Sequence, residues 1–245
     1  MKIIALDSVD STNSWLSHRA KDMDGECLVY ALEQTCGRGQ RGNVWESEPG
    51  ANLTASLLLH PDGIEPACQF VVSEAVALAV VDVLRSMGVE AKVKWPNDIY
   101  AGDSKICGIL IENAVMGRMI LHSIAGVGIN LNQMMFLSDA PNPVSVRQLT
   151  GKTQGVAEAA SLLAACVSSR LGDAVSDPDR LHQEYLSLLW RGDGKMYPFS
   201  DRLTGETYMG RIHGIAPDGM LTIADAENVL RRYAFKEVEF LLENQ

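Results

Sequence analysis

The stretch Cys36-Gly37-Arg38-Gly39-Gln40-Arg41-Gly42-Asn43-Val44-Trp45 decides how the rest of this chain is read. Glycines alternate here with side chains that carry charge or hydrogen bonds. Glycine gives the main chain access to positive φ and lets N–H groups approach a ligand closely. Successive N–H groups in such a loop form a concavity that attracts anions. Arg38 and Arg41 add planar forks of donors suited to carboxylate or phosphate. No carboxylate lies between Thr35 and Trp45. The loop reads as an anion clamp that closes over its ligand, with an aromatic residue at its exit. A solvated turn has the same composition, so the functional reading rests on the surrounding chain.

The 245 residues suffice for one sizeable domain, or a large and a small one. The chain is 47% hydrophobic and 21% charged, with a formal net charge of −10. Such an acidic balance argues against a broad nucleic-acid surface, which needs a basic face. It leaves room for a local basic pocket. The cysteines Cys27, Cys36, Cys68, Cys107 and Cys166 form no C-x-x-C pair. Their pattern favours a reducing cytoplasm over a zinc site or disulfide framework. The start Met1-Lys2-Ile3-Ile4 carries no secretory signal, and the apolar run Ala75–Val81 is too short to span a bilayer. The expectation is no membrane association.

Outward from the loop, Lys2–Leu6 reads as an opening strand. Asp10, Ser11 and Thr12 offer capping oxygens for a helix over Asn13–Lys21. Glu26–Gln34 and Asn52–Leu59 read as strands, the second punctuated by Pro49-Gly50 and Pro61-Asp62-Gly63. Glu65–Met87 is the longest helical pattern, apolar on so many sides that it belongs at the centre, and Gly88 ends it. Val89–Lys94 reads as a strand into Trp95-Pro96-Asn97-Asp98. Ile106–Ala114 and Met119–Asn130 read as a hairpin, with Gly108 marking a bulge or a ligand against the backbone. Helices are expected over Val144–Leu149, Gly155–Leu171 and Pro178–Trp190. Arg191–Gly194 reads as a linker. Strand signals at Glu206–Ile215, Met220–Ile223 and Glu237–Leu242 suggest a small terminal β-barrel. The expected division is a large domain over 1–192 and a small β domain over 193–245.

Five stretches in this order carry a resemblance. They are Asp10-Ser11-Thr12-Asn13, the Cys36–Trp45 loop, Lys94-Trp95-Pro96-Asn97-Asp98, Lys105-Ile106-Cys107-Gly108-Ile109-Leu110-Ile111-Glu112, and Gly126-Val127-Gly128-Ile129-Asn130-Leu131-Asn132. Together they resemble the biotin protein ligases, closely over residues 1 to about 132 and by layout beyond. The resemblance implies an α/β (α+β) fold: a mixed β-sheet with helices, similar to the catalytic domain of class II aminoacyl-tRNA synthetases, plus an SH3-like C-terminal β-barrel. It implies ATP and biotin as substrates, with Mg2+, and a biotin carboxyl carrier domain as acceptor. Some relatives carry an N-terminal helix-turn-helix. Little chain precedes Ser8, so DNA binding by that route is not expected. A monomer or a homodimer fits equally.

The chemistry of that family explains why these residue types are needed. A carboxylate is a poor electrophile, so it is activated as a mixed anhydride with AMP. Two anions, carboxylate and phosphate, must then meet, and cations or N–H groups aimed at the developing charge allow it. Closure of a loop keeps water from the anhydride. By resemblance, Arg38, Lys94 and Lys105 act at the reacting groups. Ser11, Thr12, Asn13, Gln34, Arg38, Gly39, Gln40, Lys105 and Gly108 contact biotin. Arg38, Arg41, Trp45, Lys94, Asn97 and Asn130 face ATP or the adenylate. Asp98 holds magnesium or orients the adenylate, and as a turn-forming Asp after Pro-Asn it needs neither role.

Two departures stand out. Gln40 replaces an arginine found in many relatives, which shifts weight onto Arg38 and Arg41. Leu241 stands where some relatives place an Arg near the ATP phosphates, leaving Arg231, Arg232 or Lys236 as stand-ins. Cys36 and Cys107 read as small filling residues, and the histidines show no metal spacing. A lipoate or octanoate ligase on a related fold is the nearest alternative. It would need a long apolar slot instead of the polar set Ser11, Thr12, Asn13 and Gln34. An RNA-binding Arg/Gly loop is a further alternative, weakened by having two arginines on an acidic chain.

Overall fold

A computed structural model describes residues 1–39, 44–137 and 142–242. Alternation along the strands organises it. Strand β3 (Leu53–Leu59) is buried along its whole length. Its odd-numbered residues Leu53, Ala55, Leu57 and Leu59 enter the main core, while Leu58 joins a second cluster with Leu16, Val29 and Ile124. Successive side chains of a strand point to opposite faces, so Thr54 and Ser56 share the face of Leu58. One face of the sheet is thus apolar throughout, and the other is apolar at one end and polar at the other.

β3 lies in a seven-stranded sheet of order β1-β2-β3-β7-β6-β5-β4. Its other strands are β1 (Lys2–Val9), β2 (Cys27–Gln34), β4 (Lys92–Lys94), β5 (Asp98–Ala101), β6 (Ser104–Met116) and β7 (Met119–Ile129). β1 pairs parallel with β2, and the remaining ladders are antiparallel. This is the mixed sheet with helices that the sequence implied. The main core is capped by α2 (Phe70–Ser86), α4 (Val156–Ser176) and α5 (Pro178–Ser187). The short α1 (Thr12–Arg19) packs on the opposite face, with Leu16 fully buried. α3 (Val146–Thr150) opens with a capping box in which Ser145 and Gln148 satisfy each other's backbone.

Boundaries differ from expectation where local chemistry intervenes. The Glu65–Met87 pattern divides into a 3-10 turn at Pro66–Cys68 and α2, because Pro66 fits the first turn and not the interior. The sequence signals showed three strands after residue 193, and the structure has five. β8 (Tyr197–Asp201), β9 (Thr207–Ile215), β10 (Leu221–Asp225), β11 (Leu230–Tyr233) and β12 (Val238–Phe240) form an antiparallel sheet of order β11-β10-β9-β8-β12. β8 was hidden by Pro198, a residue that normally argues against a strand inside a sheet. β11 was hidden by Arg231 and Arg232. Arg231 is accommodated there by ion pairs to Asp225 and Glu206.

Aromatic contacts join the two sheets. The Trp95 indole donates to the Gly219 carbonyl at 2.9 Å. Phe235 sits 5.4 Å from the Trp95 ring and 6.2 Å from the Phe70 ring, centroid to centroid. Gly219 has φ +85°, and a Cβ there would lie 2.7 Å from Phe70 Cδ2. Gly219→Ala should therefore destabilise the protein by about 1–3 kcal/mol, read as a lower denaturant midpoint with an unchanged slope.

Candidate active site

The polar end of the sheet face forms the floor of a cavity of about 1140 Å³. Gly108 on β6 pairs directly with Gly128 on β7, and Gly126 lies two residues back on the same face. These glycines matter for lack of bulk. A Cβ on Gly128 would overlap the Trp45 indole, one on Gly126 would overlap the Asn13 side-chain amide, and one on Gly108 would lie 2.9 Å from Trp45 Cζ3. The floor is therefore flat backbone, with Trp45 lying across it. The indole N–H of Trp45 is buried and has no hydrogen-bond partner among the described residues.

One wall is the start of α1. Ser11 is the N-cap, and Ser11, Thr12 and Asn13 are each 3% exposed. Buried polar groups are costly unless paired, and these are. The Thr12 N–H and Thr12 hydroxyl both donate to Gln34 Oε1, at 2.8 and 3.0 Å. Ser56, arriving from β3, lies within hydrogen-bond reach of both Thr12 Oγ1 and Asn13 Oδ1. A hydroxyl has one proton, and Thr12 gives its own to Gln34. Ser56 therefore donates to one neighbour at a time. The Asn13 amide nitrogen faces two acceptors, Glu112 Oε2 at 3.0 Å and the Leu110 carbonyl at 3.4 Å, which fixes the orientation of its amide. Donors and acceptors are thus pre-set along this wall.

Cations gather elsewhere around the cavity, most of them held by carboxylates. Arg38 makes a two-pronged pair with Glu112, the shorter contact 2.8 Å. Lys105 Nζ lies 2.6 Å from Asp98 and 5.8 Å from the Trp45 ring centroid. Lys94 donates to the Tyr100 hydroxyl at 2.9 Å and lies over the rings of Tyr100, Trp190 and Phe240. Burial pulls its ammonium below the ordinary lysine range, partly offset by the charge of Asp98. From the second sheet come Arg202, paired with Glu239 at 2.6 Å, and Lys236. Lys236 holds φ +70° and has no ion pair among the described residues. Asn97 donates its amide to the Ile109 carbonyl, and Asn130 donates to the Val144 carbonyl. Each thereby ties a loop to the cavity wall.

Ser11, Thr12, Asn13, Gln34, Arg38, Gly39, Trp45, Lys94, Asn97, Asp98, Lys105, Gly108 and Asn130 all line this one cavity. Gln40 and Arg41 lie outside the described residues. Of the three stand-ins for the missing arginine, Lys236 lines the cavity; Arg231 is held by Asp225 and Glu206, and Arg232 lies beside Asp218. Arg202, Ser56 and Glu112 had no role in the sequence reading. Arg202 and Ser56 carry no local signal. Glu112 is an alternating strand residue until the fold places it beside Arg38. Cys107 is the buried filler expected, its thiol pushed well up by burial, whereas Cys36 is exposed. Among the described residues no three His, Cys, Asp or Glu side chains converge as a metal cage.

Comparison with known proteins agrees with this geometry. Residues 5–130 match the model of the biotin/lipoate A/B protein ligase family. The chain is similar to the bifunctional ligase/repressor BirA of Bacillus spizizenii, at 29% identity over 242 residues, covering 95% of this chain and 72% of that protein. It is similar to the biotin–[acetyl-CoA-carboxylase] ligase of Paracoccus denitrificans, at 35% identity over 63% of this chain and 67% of that one. Its fold matches the biotin protein ligase of Aquifex aeolicus solved with biotin and ATP, with a TM-score of 0.80, 23% identity and 97% of each chain covered. The chain belongs to the biotin/lipoate A/B protein ligase family.

The half-buried Lys94 gives a test of the site's electrostatics. Its folded pKa lies below the ordinary 10.5, so the unfolded chain binds more protons just below that pH. Stability contributed by this group rises with pH through that window. Lys94→Met should hold or raise the melting temperature at neutral pH, and its advantage over the native chain should shrink as pH climbs toward 10.5. Melting curves across that range check the sign.

Proposed function

We propose that this chain is an ATP-dependent biotin protein ligase that forms biotinyl-5′-AMP and then transfers the biotinyl group to a lysine of a biotin carboxyl carrier domain. The observation that carries the reading is the pairing of two unlike ends in one cavity. A buried, pre-set array of donors and acceptors sits at α1, and Lys105 and Lys94 lie beyond the glycine floor. A bicyclic ureido acid has this polarity, with a neutral hydrogen-bonding head and an anionic tail. The dithiolane of a lipoyl group has no N–H or C=O to meet Thr12, Asn13 and Gln34, and would leave buried polar groups unpaired.

In this reading Ser11, Thr12, Asn13 and Gln34 hold the ureido head, with Arg38 and Gly39 beside it. The flat strand backbone at Gly108 and the Trp45 ring enclose the aliphatic chain. The biotin carboxylate attacks the α-phosphorus of ATP, and pyrophosphate leaves. Lys105 stands where carboxylate and phosphate meet. Its present partner Asp98 would be exchanged for them, since a lysine ammonium is a mobile point charge. Lys94, Asn97 and Asn130 line the nucleotide side. Magnesium fits here as an ion carried in by the ATP phosphates, with Asp98 as the protein carboxylate. The lysine amine of the acceptor then attacks the acyl carbon, and AMP leaves with the charge that Arg38 and Lys105 stabilise. We divide the chain between a catalytic part over 1–192 and a β domain over 193–245.

Biotin-dependent exchange of pyrophosphate into ATP is the direct test, and its absence from the pure protein would refute the reading. Lys105→Met should lower the exchange rate by about 10²–10³-fold with the melting temperature little changed. Arg38→Gly should loosen the intermediate, so that bystander proteins become biotinylated; unchanged selectivity would count against Arg38 as part of the clamp.

A further inference from the structure

Glu112 lies outside the set of residues assigned to substrates above, yet it touches two of them. Its Oε2 accepts from the Asn13 amide at 3.0 Å, while Oε1 and Oε2 together accept the Arg38 fork at 2.8 and 3.4 Å. Asn13 is in the first turn of α1, Arg38 follows β2, and Glu112 is on β6. One carboxylate thus joins three elements that are far apart in sequence. The pair with Arg38 is half exposed, at 43% and 39% of the side chains. An ion pair so placed contributes little to folding, so its consequence is orientation.

We infer that Glu112 is a positioning residue that sets ligand choice: by holding the Asn13 amide nitrogen it turns Asn13 Oδ1 toward Gly126 on the cavity floor as an acceptor, and by holding one edge of Arg38 it aims the remaining guanidinium donors. The inference rests on the proposed function and names what selects its substrate. The Leu110 carbonyl alone, at 3.4 Å, is too distant to fix the amide. With Glu112 in place, the Asn13 oxygen asks for an N–H on the ligand. Biotin's ureido ring supplies one and a dithiolane does not. Ser56 competes for the same oxygen, and it can turn its single proton to Thr12 when a ligand N–H arrives. The network therefore accepts a donor there without leaving any group unpaired.

The two contacts of Glu112 are separable. Glu112→Gln keeps a carbonyl oxygen for Asn13 but loses the charge that holds Arg38. Glu112→Ala loses both. By titration calorimetry without nucleotide, Glu112→Ala should bind biotin about tenfold more weakly than the native chain, and Glu112→Gln within about threefold of it. Glu112→Gln should instead release biotinyl-5′-AMP about tenfold faster, with no further effect in an Arg38→Ala background, as expected of residues that act through one another. Glu112→Asp should not restore the native pattern, because its shorter stem cannot reach both partners. Native biotin affinity in Glu112→Ala, or additive effects of Glu112→Gln and Arg38→Ala, would overturn the inference and leave the ligase reading intact. A native chain that binds no biotin would overturn both.

Discussion

The close approach of side chains to bare backbone at Gly108, Gly126 and Gly128 is the constraint on which the site depends. Two adjacent strands present these three positions on one face. Any Cβ there would meet Trp45 or Asn13. The missing carbons create the flat floor on which Trp45 lies and let α1 come close enough for Asn13 to reach the sheet. A side chain at Gly126 would push Asn13 away from Ser56 and Glu112 together. The polar wall exists because the floor beside it is empty.

Charge around the cavity follows a second rule, in which cations are stored against carboxylates. Arg38 rests on Glu112, Lys105 on Asp98 and Arg202 on Glu239. Lys94 rests on aromatic faces and the Tyr100 hydroxyl. The Lys105–Asp98 pair, 20% exposed on each side, avoids the cost of a largely buried unpaired charge, and all three pairs can exchange one anion for another as substrate enters. On a chain of net charge −10, this local pairing lets a cationic site sit within an acidic molecule.

The second sheet belongs to the same design. Trp95, at the root of the Lys94–Asp98 segment, is anchored on Gly219 and Phe235. Arg191 donates to the Leu241 carbonyl at 2.7 Å, and Phe240 packs against Trp190. These contacts place Arg202, Lys236 and Phe240 at the cavity, and they fix the turn between β4 and β5, at whose two ends Lys94 and Asp98 stand.

Much of this was legible in the linear chain. The strand signals of β3, the hairpin of β6 and β7, the apolar circumference of α2, the capping residues at Ser11 and the glycine-rich loop each follow from local physics. Local physics acts over a few residues, and a sequence displays it directly. The ordered stretches from Asp10 to Asn132 hold all the described residues that the resemblance assigned to substrates except Gln34, and these and Gln34 line one cavity. The strands β8 and β11 were not legible, because Pro198 and paired arginines violate strand preferences that only their neighbours satisfy. Nor were the partners: Ser56 on Thr12 and Asn13, Glu112 on Asn13 and Arg38, Asp98 on Lys105, and Lys236 chosen over Arg231 and Arg232. Such pairings depend on strand register and on how two sheets meet. The sequence by itself determined which side chains were available and where most strands and helices form; tertiary structure alone decided which donor meets which acceptor, because that is set by distances between segments up to 124 residues apart.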